Sequence, residues 1–324
     1  MRYPIIFLAI ALLVTVFPPC ITATDYARES RRAQKLLSEG KYDKAYQMYS
    51  ELATEQKNPL AQFTLALFYE YGWGRTPDRQ QACRWYGQAA QRDIPTAAHF
   101  YAACFEEGIG VDQSLSDAIY WYEQAVALGH GGSHFPAAQL LLTADNVADK
   151  TKGLQHLHQA ASIGNQQAQL QLGNMYMQGR QVETNPYQAL HWYRQAAQQD
   201  NHEAQYLLGI LLRDSQSADL HSDEEALKWL ETAAANGYQP AYLPTARYYL
   251  GGEDLKKDEH IPAPALAKAY MWLSAAEQRA ATEEEKATCR KLLGQVSATM
   301  PETWKPELDA EVKKHLKKIA VIQQ

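Results

Sequence analysis

A pair of bulky side chains returns along this chain at an almost constant interval, and that interval constrains the fold more than any other feature. It reads Met48-Tyr49, Trp85-Tyr86, Trp121-Tyr122, His156-Leu157, Trp192-Tyr193, Trp229-Leu230 and Trp272-Leu273. The first members lie 37, 36, 35, 36, 37 and 43 residues apart. Three residues before each stands a small side chain: Ala45, Ala82, Ala118, Gly153, Ala189, Ala226 or Ala269. Four residues after come Leu52, Ala89, Ala125, Ala160, Ala196, Ala233 and Ala276. Offsets of −3, +1 and +4 share one face of a helix, so the small residues admit a close neighbour beside a large anchor. Self-similarity at this period predicts stacked repeats rather than a single globular core.

A second pattern precedes the first. Ala61, Leu65, Ala66, Tyr69 and Gly72 return as Ala97, Tyr101, Ala102, Phe105 and Gly108, and as Ala168, Leu172, Gly173, Tyr176 and Gly179. A looser copy is Ala204, Leu208, Gly209 and Leu212. Positions 0, +4, +5 and +8 form another helical stripe, and Gly at +11 is a helix stop. Asn58-Pro59, Thr76-Pro77 and Asn185-Pro186 each suit a capping side chain followed by Pro at the first helical position. Gly72-Trp73-Gly74 and Gly108-Ile109-Gly110 suit the turns between first and second helices. The unit is therefore a helix-turn-helix of about 36 residues, repeated six or seven times. With 18 Gly, 14 Pro and few β-branched runs after residue 24, the predicted class is all-α.

The net charge is −6. That balance offers no basic footprint for nucleic acid and no reason to expect an anionic membrane surface as a partner. At the amino terminus, Arg2 precedes an apolar run from Ile5 to Phe17, then Pro18-Pro19 and Ile21-Thr22-Ala23. The run has the length of a signal-peptide core and is short for a membrane span. A cleaved leader over residues 1–23 is expected, giving a periplasmic or secreted protein; retention of the segment would instead leave it anchored in the inner membrane. Membrane contact is expected only in that second case. Cys20 lacks the small residues of a lipobox before it.

With these residues in place, the chain resembles the Sel1-like repeat family, a relative of the tetratricopeptide repeat, in its exported bacterial type. Ala61 to Ala90, Ala97 to Val126 and Ala168 to Ala197 carry the likeness best, and Ala269-Tyr270-Met271-Trp272-Leu273-Ser274 is similar to a last repeat. The resemblance covers about residues 26 to 300. It implies an all-α, right-handed superhelical solenoid of about seven antiparallel helix-turn-helix repeats. The expected organisation is a leader over 1–23, a tetratricopeptide-like helix pair over 24–57, Sel1-like repeats over 58–300 and a capping helix or tail over 301–324.

The resemblance further implies a protein-protein interaction scaffold or adaptor, here of the bacterial cell envelope, that binds protein partners on a concave face lined by first helices. Carried over, positions two, six and nine after each anchor alanine select Glu70, His99, Glu106, Asn174, Met177, Tyr206, Arg213 and Arg247. The alternative is an enzyme acting on cell-wall peptides with a site built from inter-repeat turns.

No catalytic residue, metal-ligand set or cofactor site is expected. Ser38-Glu39-Gly40-Lys41 matches a Ser-x-x-Lys pattern, but its companion motifs are absent from the sequence. His130 and His134 flank a glycine-rich insertion that could form a contact loop; they and His156 and His158 read as packing or solvated histidines. The recurring tryptophans read as core. Cys83, early in one second helix, and Cys104, late in the next first helix, are centred on the turn near Asp93-Ile94. They can sit side by side, and an oxidising compartment would permit a disulfide between them. The lysine-rich tail reads as a solvated cap of the solenoid or as a basic partner-binding helix.

Overall fold

Local capping chemistry cuts the chain into its elements. The structure, a computed structural model, describes residues 23–252 and 261–322. The expected leader lies outside these residues except for Ala23, as do residues 253–260. Among the described residues there are sixteen α-helices and no strand. They belong to two compact units, Met1–Leu141 and Leu142–Gln324.

The first unit contains α1 (Ala23–Ser38), α2 (Tyr42–Thr54), α3 (Pro59–Tyr71), α4 (Arg79–Ala90), α5 (Pro95–Glu107) and α6 (Leu115–Ala127). A helix α7 (His134–Leu142) ends at its boundary. The second unit contains α8 (Val147–Ser162), α9 (Gln166–Gln178), α10 (Pro186–Gln198), α11 (His202–Asp214), α12 (Asp223–Ala235), α13 (Tyr242–Tyr249), α14 (Ala263–Arg279), α15 (Glu283–Thr299) and α16 (Lys305–Ile322). Consecutive helices pack as antiparallel pairs: α3 with α4 and α5 with α6 in the first unit, α9 with α10, α11 with α12 and α13 with α14 in the second. The all-α repeat fold expected from the spacing is the fold observed.

The two stripes form the core. Every alanine at offset −3 is buried, as is Gly153 in its place, and so is every residue at offset +4. The second member of each bulky pair is buried too: Tyr49, Tyr86, Tyr122, Leu157, Tyr193, Leu230 and Leu273. The tryptophans are less buried than expected. Trp272 is 5% exposed, but Trp85, Trp121, Trp192 and Trp229 are only partly covered. Adjacent helical residues point about 100° apart, so the +1 residue takes the stripe centre and the tryptophan its edge.

Asparagines cap the first helices. Asn58, Asn165 and Asn201 Oδ1 accept from the backbone N–H of Ala61, Ala168 and Ala204 at 2.7, 2.8 and 2.8 Å. Each such cap contributes about 1 kcal/mol. At the other end, Gly72, Gly108 and Gly179 close their helices with φ of 66°, 71° and 66°, a left-handed conformation costly for any residue with a Cβ. One expected cap is corrected. Thr76-Pro77 does not open a helix; Asp78 is the N-cap, accepting from Gln81 N–H at 3.0 Å, while Pro77 packs over Gly72. The insertion at Gly129 to His134 is locally folded, with Gly129 and Gly132 exposed. Gly131–Ser133 forms a 3-10 turn with Ser133 fully buried.

A further device was not visible in the sequence. Gln62, Gln169 and Gln205, each one residue after an anchor alanine, are buried. Their Nε2 atoms donate to the carbonyls of Ala53, Ala161 and Ala197 at 3.3, 2.9 and 3.2 Å. These carbonyls lie in the last turn of the preceding second helix, where intrahelical partners run out, so each glutamine staples one repeat to the next.

At the carboxyl end of the second unit, α16 packs against α14. Val312 and Ile319 are buried, Tyr270 donates to Asp309 Oδ1 at 2.7 Å, and the Tyr242 hydroxyl and His315 Nε2 are 3.1 Å apart.

Candidate partner-binding site

The eight residues selected on the first helices fall into both units, Glu70, His99 and Glu106 in the first and the other five in the second. In the first unit all three are engaged internally. Arg79, at the start of α4, reaches Glu70 Oε1 from Nε at 3.3 Å and donates from Nη1 and Nη2 to the Glu107 carboxylate at 2.8 and 3.2 Å. That fork holds the Glu107 carboxyl below its ordinary range. Glu106, next to the last residue of α5, accepts from the Tyr122 hydroxyl at 2.8 Å.

His99 packs its ring 5.4 Å from Tyr122 and 4.6 Å from His130, centroid to centroid. His99 Nδ1 and His130 Nδ1 both lie within hydrogen-bond distance of Ser133 Oγ, at 2.9 and 2.8 Å. Burial, with the nearby His130 adding to it, lowers the His99 pKa to about 4. The unfolded chain takes up this proton near pH 6.5, whereas the folded chain refuses it until about pH 4. Stability is therefore full above the unfolded value and falls as pH drops through that window. Allowing for the residue's partial exposure, the loss should be about 1–2 kcal/mol. Thermal melts between pH 7 and pH 4 of the parent and His99→Asn check it; parallel pH profiles would exclude His99 as the source.

In the second unit, Asn174 on α9 repeats the same construction by accepting from the Tyr193 hydroxyl at 2.8 Å. Met177, one turn on, is 37% exposed. On α11, Tyr206 and Arg213 are seven residues apart and so share a face. Tyr206 is half-buried, with its ring 5.6 Å from that of Tyr238, and burial raises its hydroxyl pKa. Burial, with the negative charge of Glu203 adding to it, pushes Tyr238 up to about 12. Arg213 Nε donates to Asp214 Oδ1 at 2.6 Å. Arg247 lies on α13 and is half-buried. The structure thus gathers Tyr206, Tyr238, Glu203 and Arg213 into one aromatic and charged patch. Tyr238 escaped the sequence reading although a signal existed. It stands at the helix-start position where Asn58, Asn165 and Asn201 provide caps, and its side chain makes no capping bond.

Cys83 and Cys104 form a disulfide between α4 and α5, with Cα atoms 5.9 Å apart. Cys289 is a buried free thiol. Among the described residues, no three His, Cys, Asp or Glu side chains are grouped to hold a metal ion.

A family model for the Sel1 repeat matches residues 59–94, 95–130, 147–165, 166–201 and 202–238. The matched segments open at the starts of α3, α5, α8, α9 and α11. Chitin synthase regulatory factor 3 of Schizosaccharomyces pombe is 29% identical over 217 residues, 64% of this chain and 23% of that protein. Chitin synthase regulator SKT5 of Saccharomyces cerevisiae is 29% identical over 202 residues, 58% of this chain and 29% of that protein. The chain therefore spans about a quarter of the length of these two relatives. The crystal structure of a Sel1 repeat protein from Oxalobacter formigenes matches with a TM-score of 0.55 at 25% identity, covering 78% of this chain and 98% of that one.

Proposed function

This chain belongs to the Sel1 repeat family, and from that membership we propose that it is a non-catalytic adaptor that binds protein partners through first-helix side chains. The observation that carries the reading is the α11 patch. Tyr206 and Tyr238 offer large, half-exposed rings of low conformational entropy, flanked by Arg213, and such residues dominate protein interfaces. Glu70, His99, Glu106 and Asn174 shape and stiffen the first helices instead of meeting the partner directly. Two relatives are named as regulators of chitin synthase, which accords with action by contact.

We place this adaptor in the bacterial cell envelope. The leader-like segment over 1–23 supports export, and the Cys83–Cys104 bridge supports an oxidising compartment, because cytosolic thiols are kept reduced. A tagged chain should fractionate with the envelope and be crosslinked there to a partner. Tyr206→Ala with Arg213→Ala should weaken that capture about tenfold or more while the helical circular dichroism is unchanged. Undiminished capture by the double variant would remove the patch from the interface. Recovery of the full-length chain in the cytosol would refute export.

A further inference from the structure

The outer face of α16 is basic, although the chain as a whole is acidic. With Val312 and Ile319 turned into the core, Lys313, Lys314, Lys317 and Lys318 are all exposed. Spacings of one, four and five residues set them in two adjoining rows on one side of the helix. Ala310 and Val321, the latter 69% exposed, flank the lysines along the same open side of the helix. Glu311 stands 3.6 Å from Lys314 and offsets part of the charge. The whole chain carries −6, a balance that gives no reason to expect an anionic membrane surface, but this positive face is a local reversal of sign that the net charge conceals.

We infer that the lysine face of α16 docks the chain on an anionic lipid headgroup surface. Charge complementarity selects an anionic occupant, and the form of the face selects the lipid. The face is open and has no enclosing walls to read a shape. It offers flexible ammonium groups, whereas a protein interface relies on aromatic or Arg anchors seated in pockets and is poor in Lys. Lysine stems can lie along the helix surface while their ammonium groups reach a headgroup layer, where each adds to the attraction. Leu308 and Leu316 pack inward against the core, and among the described residues Val321 is the one large apolar side chain left exposed beside the lysines. The contact is peripheral and salt-sensitive. Repulsion of the acidic remainder orients the chain with α16 toward the surface.

Co-sedimentation of the full chain with vesicles tests this. The chain should pellet with equimolar phosphatidylcholine and phosphatidylglycerol, and much less with phosphatidylcholine alone; an apolar segment would not distinguish the two. Binding should weaken as ionic strength rises. Replacing all four lysines by Gln should reduce affinity for the anionic vesicles about a hundredfold, and Glu311→Gln should raise it a few-fold. These side chains are exposed, so an unchanged thermal melt shows that the variants are folded. Equal binding to both vesicle types, no binding to the anionic ones, or an unaffected quadruple variant would each overturn the inference. So would lysine-dependent capture of polyglutamate by a chain that ignores the vesicles, because that outcome assigns the face to an acidic protein. The vesicles contain no protein and the lysines lie outside the α11 patch, so this result is independent of the adaptor reading.

Discussion

Replacing Cys83 and Cys104 together by alanine should lower the stability of the α4–α5 hairpin by about 3 kcal/mol, the loop-closure entropy that a cross-link of this span removes from the unfolded chain. The two residues are separated by 21 positions in sequence, and their side chains are 1% and 4% exposed. Alanine suits the site sterically, since Ala82, Ala89 and Ala90 already line this face of α4. The loss is thus that of the covalent tie, with only a small cavity added. Because repeats couple mainly to their neighbours, the effect should be local. Amide hydrogens of residues 79–107 should exchange faster, and those of α11 and α12 should not. Reductant added to the unfolding parent should reproduce the shift. The free thiol should not compensate: Cys289 is fully buried, and burial raises its pKa to about 11, so little thiolate is available for exchange. Coincident unfolding curves with and without reductant would show that the bridge adds nothing.

Gly173→Ala should destabilise the chain by about 2–3 kcal/mol, even though alanine is the better helix former. A Cβ at Gly173 would run into the Tyr193 ring. That ring is 2% exposed and its hydroxyl is held by Asn174, so it cannot swing aside without breaking the 2.8 Å bond. Gly209 faces Leu230 Cγ in the same way, at 2.7 Å from the ideal Cβ position. In the first unit the same stripe position is Ala66 or Ala102, both buried, so the requirement for Gly is imposed by the local approach of helices and not by the repeat itself. The control is Gly294, which is exposed on α15 with nothing within 4 Å of an added Cβ. There, Gly→Ala should stabilise by about 0.5–1 kcal/mol. Chemical denaturation of both variants checks the pair. Changes of the same sign would mean that the contact at Gly173 relaxes freely.

Much of this architecture could be read from period alone, because stacked repeats write the same packing constraint into the chain several times over. A single Ala-x-x-Trp-Tyr would mean little; seven aligned copies of the looser pattern, a small residue three places before a bulky pair, place the stripe. The tryptophans show where such reading loses precision. Periodicity identifies a face of about 100°, and whether a residue sits at its centre or edge depends on the approach of the next helix. The candidate site was less legible. Positions two, six and nine after the anchor alanine are equivalent in sequence. Only the packed pairs show that Glu106 and Asn174 meet tyrosine hydroxyls while Tyr206 stands half open beside Tyr238. Gln62, Gln169 and Gln205 were lost for a related reason, since a polar side chain on a helix suggests solvent until a carbonyl on another helix is found for it.

The sequence by itself determined the helical class, the length of the repeat, several helix starts and stops, and the small residues that let helices approach. Those are local preferences and periodic constraints, and each is encoded within a few turns of chain. The tertiary structure decided what depends on distance between elements: the bond between Cys83 and Cys104, the exclusion of a methyl group at Gly173, the burial of Ser133 beneath two histidines and the exposure of four lysines on α16. Two chains with the same stripes can differ in all of these, because a stripe specifies which face is buried and leaves open which atoms meet there.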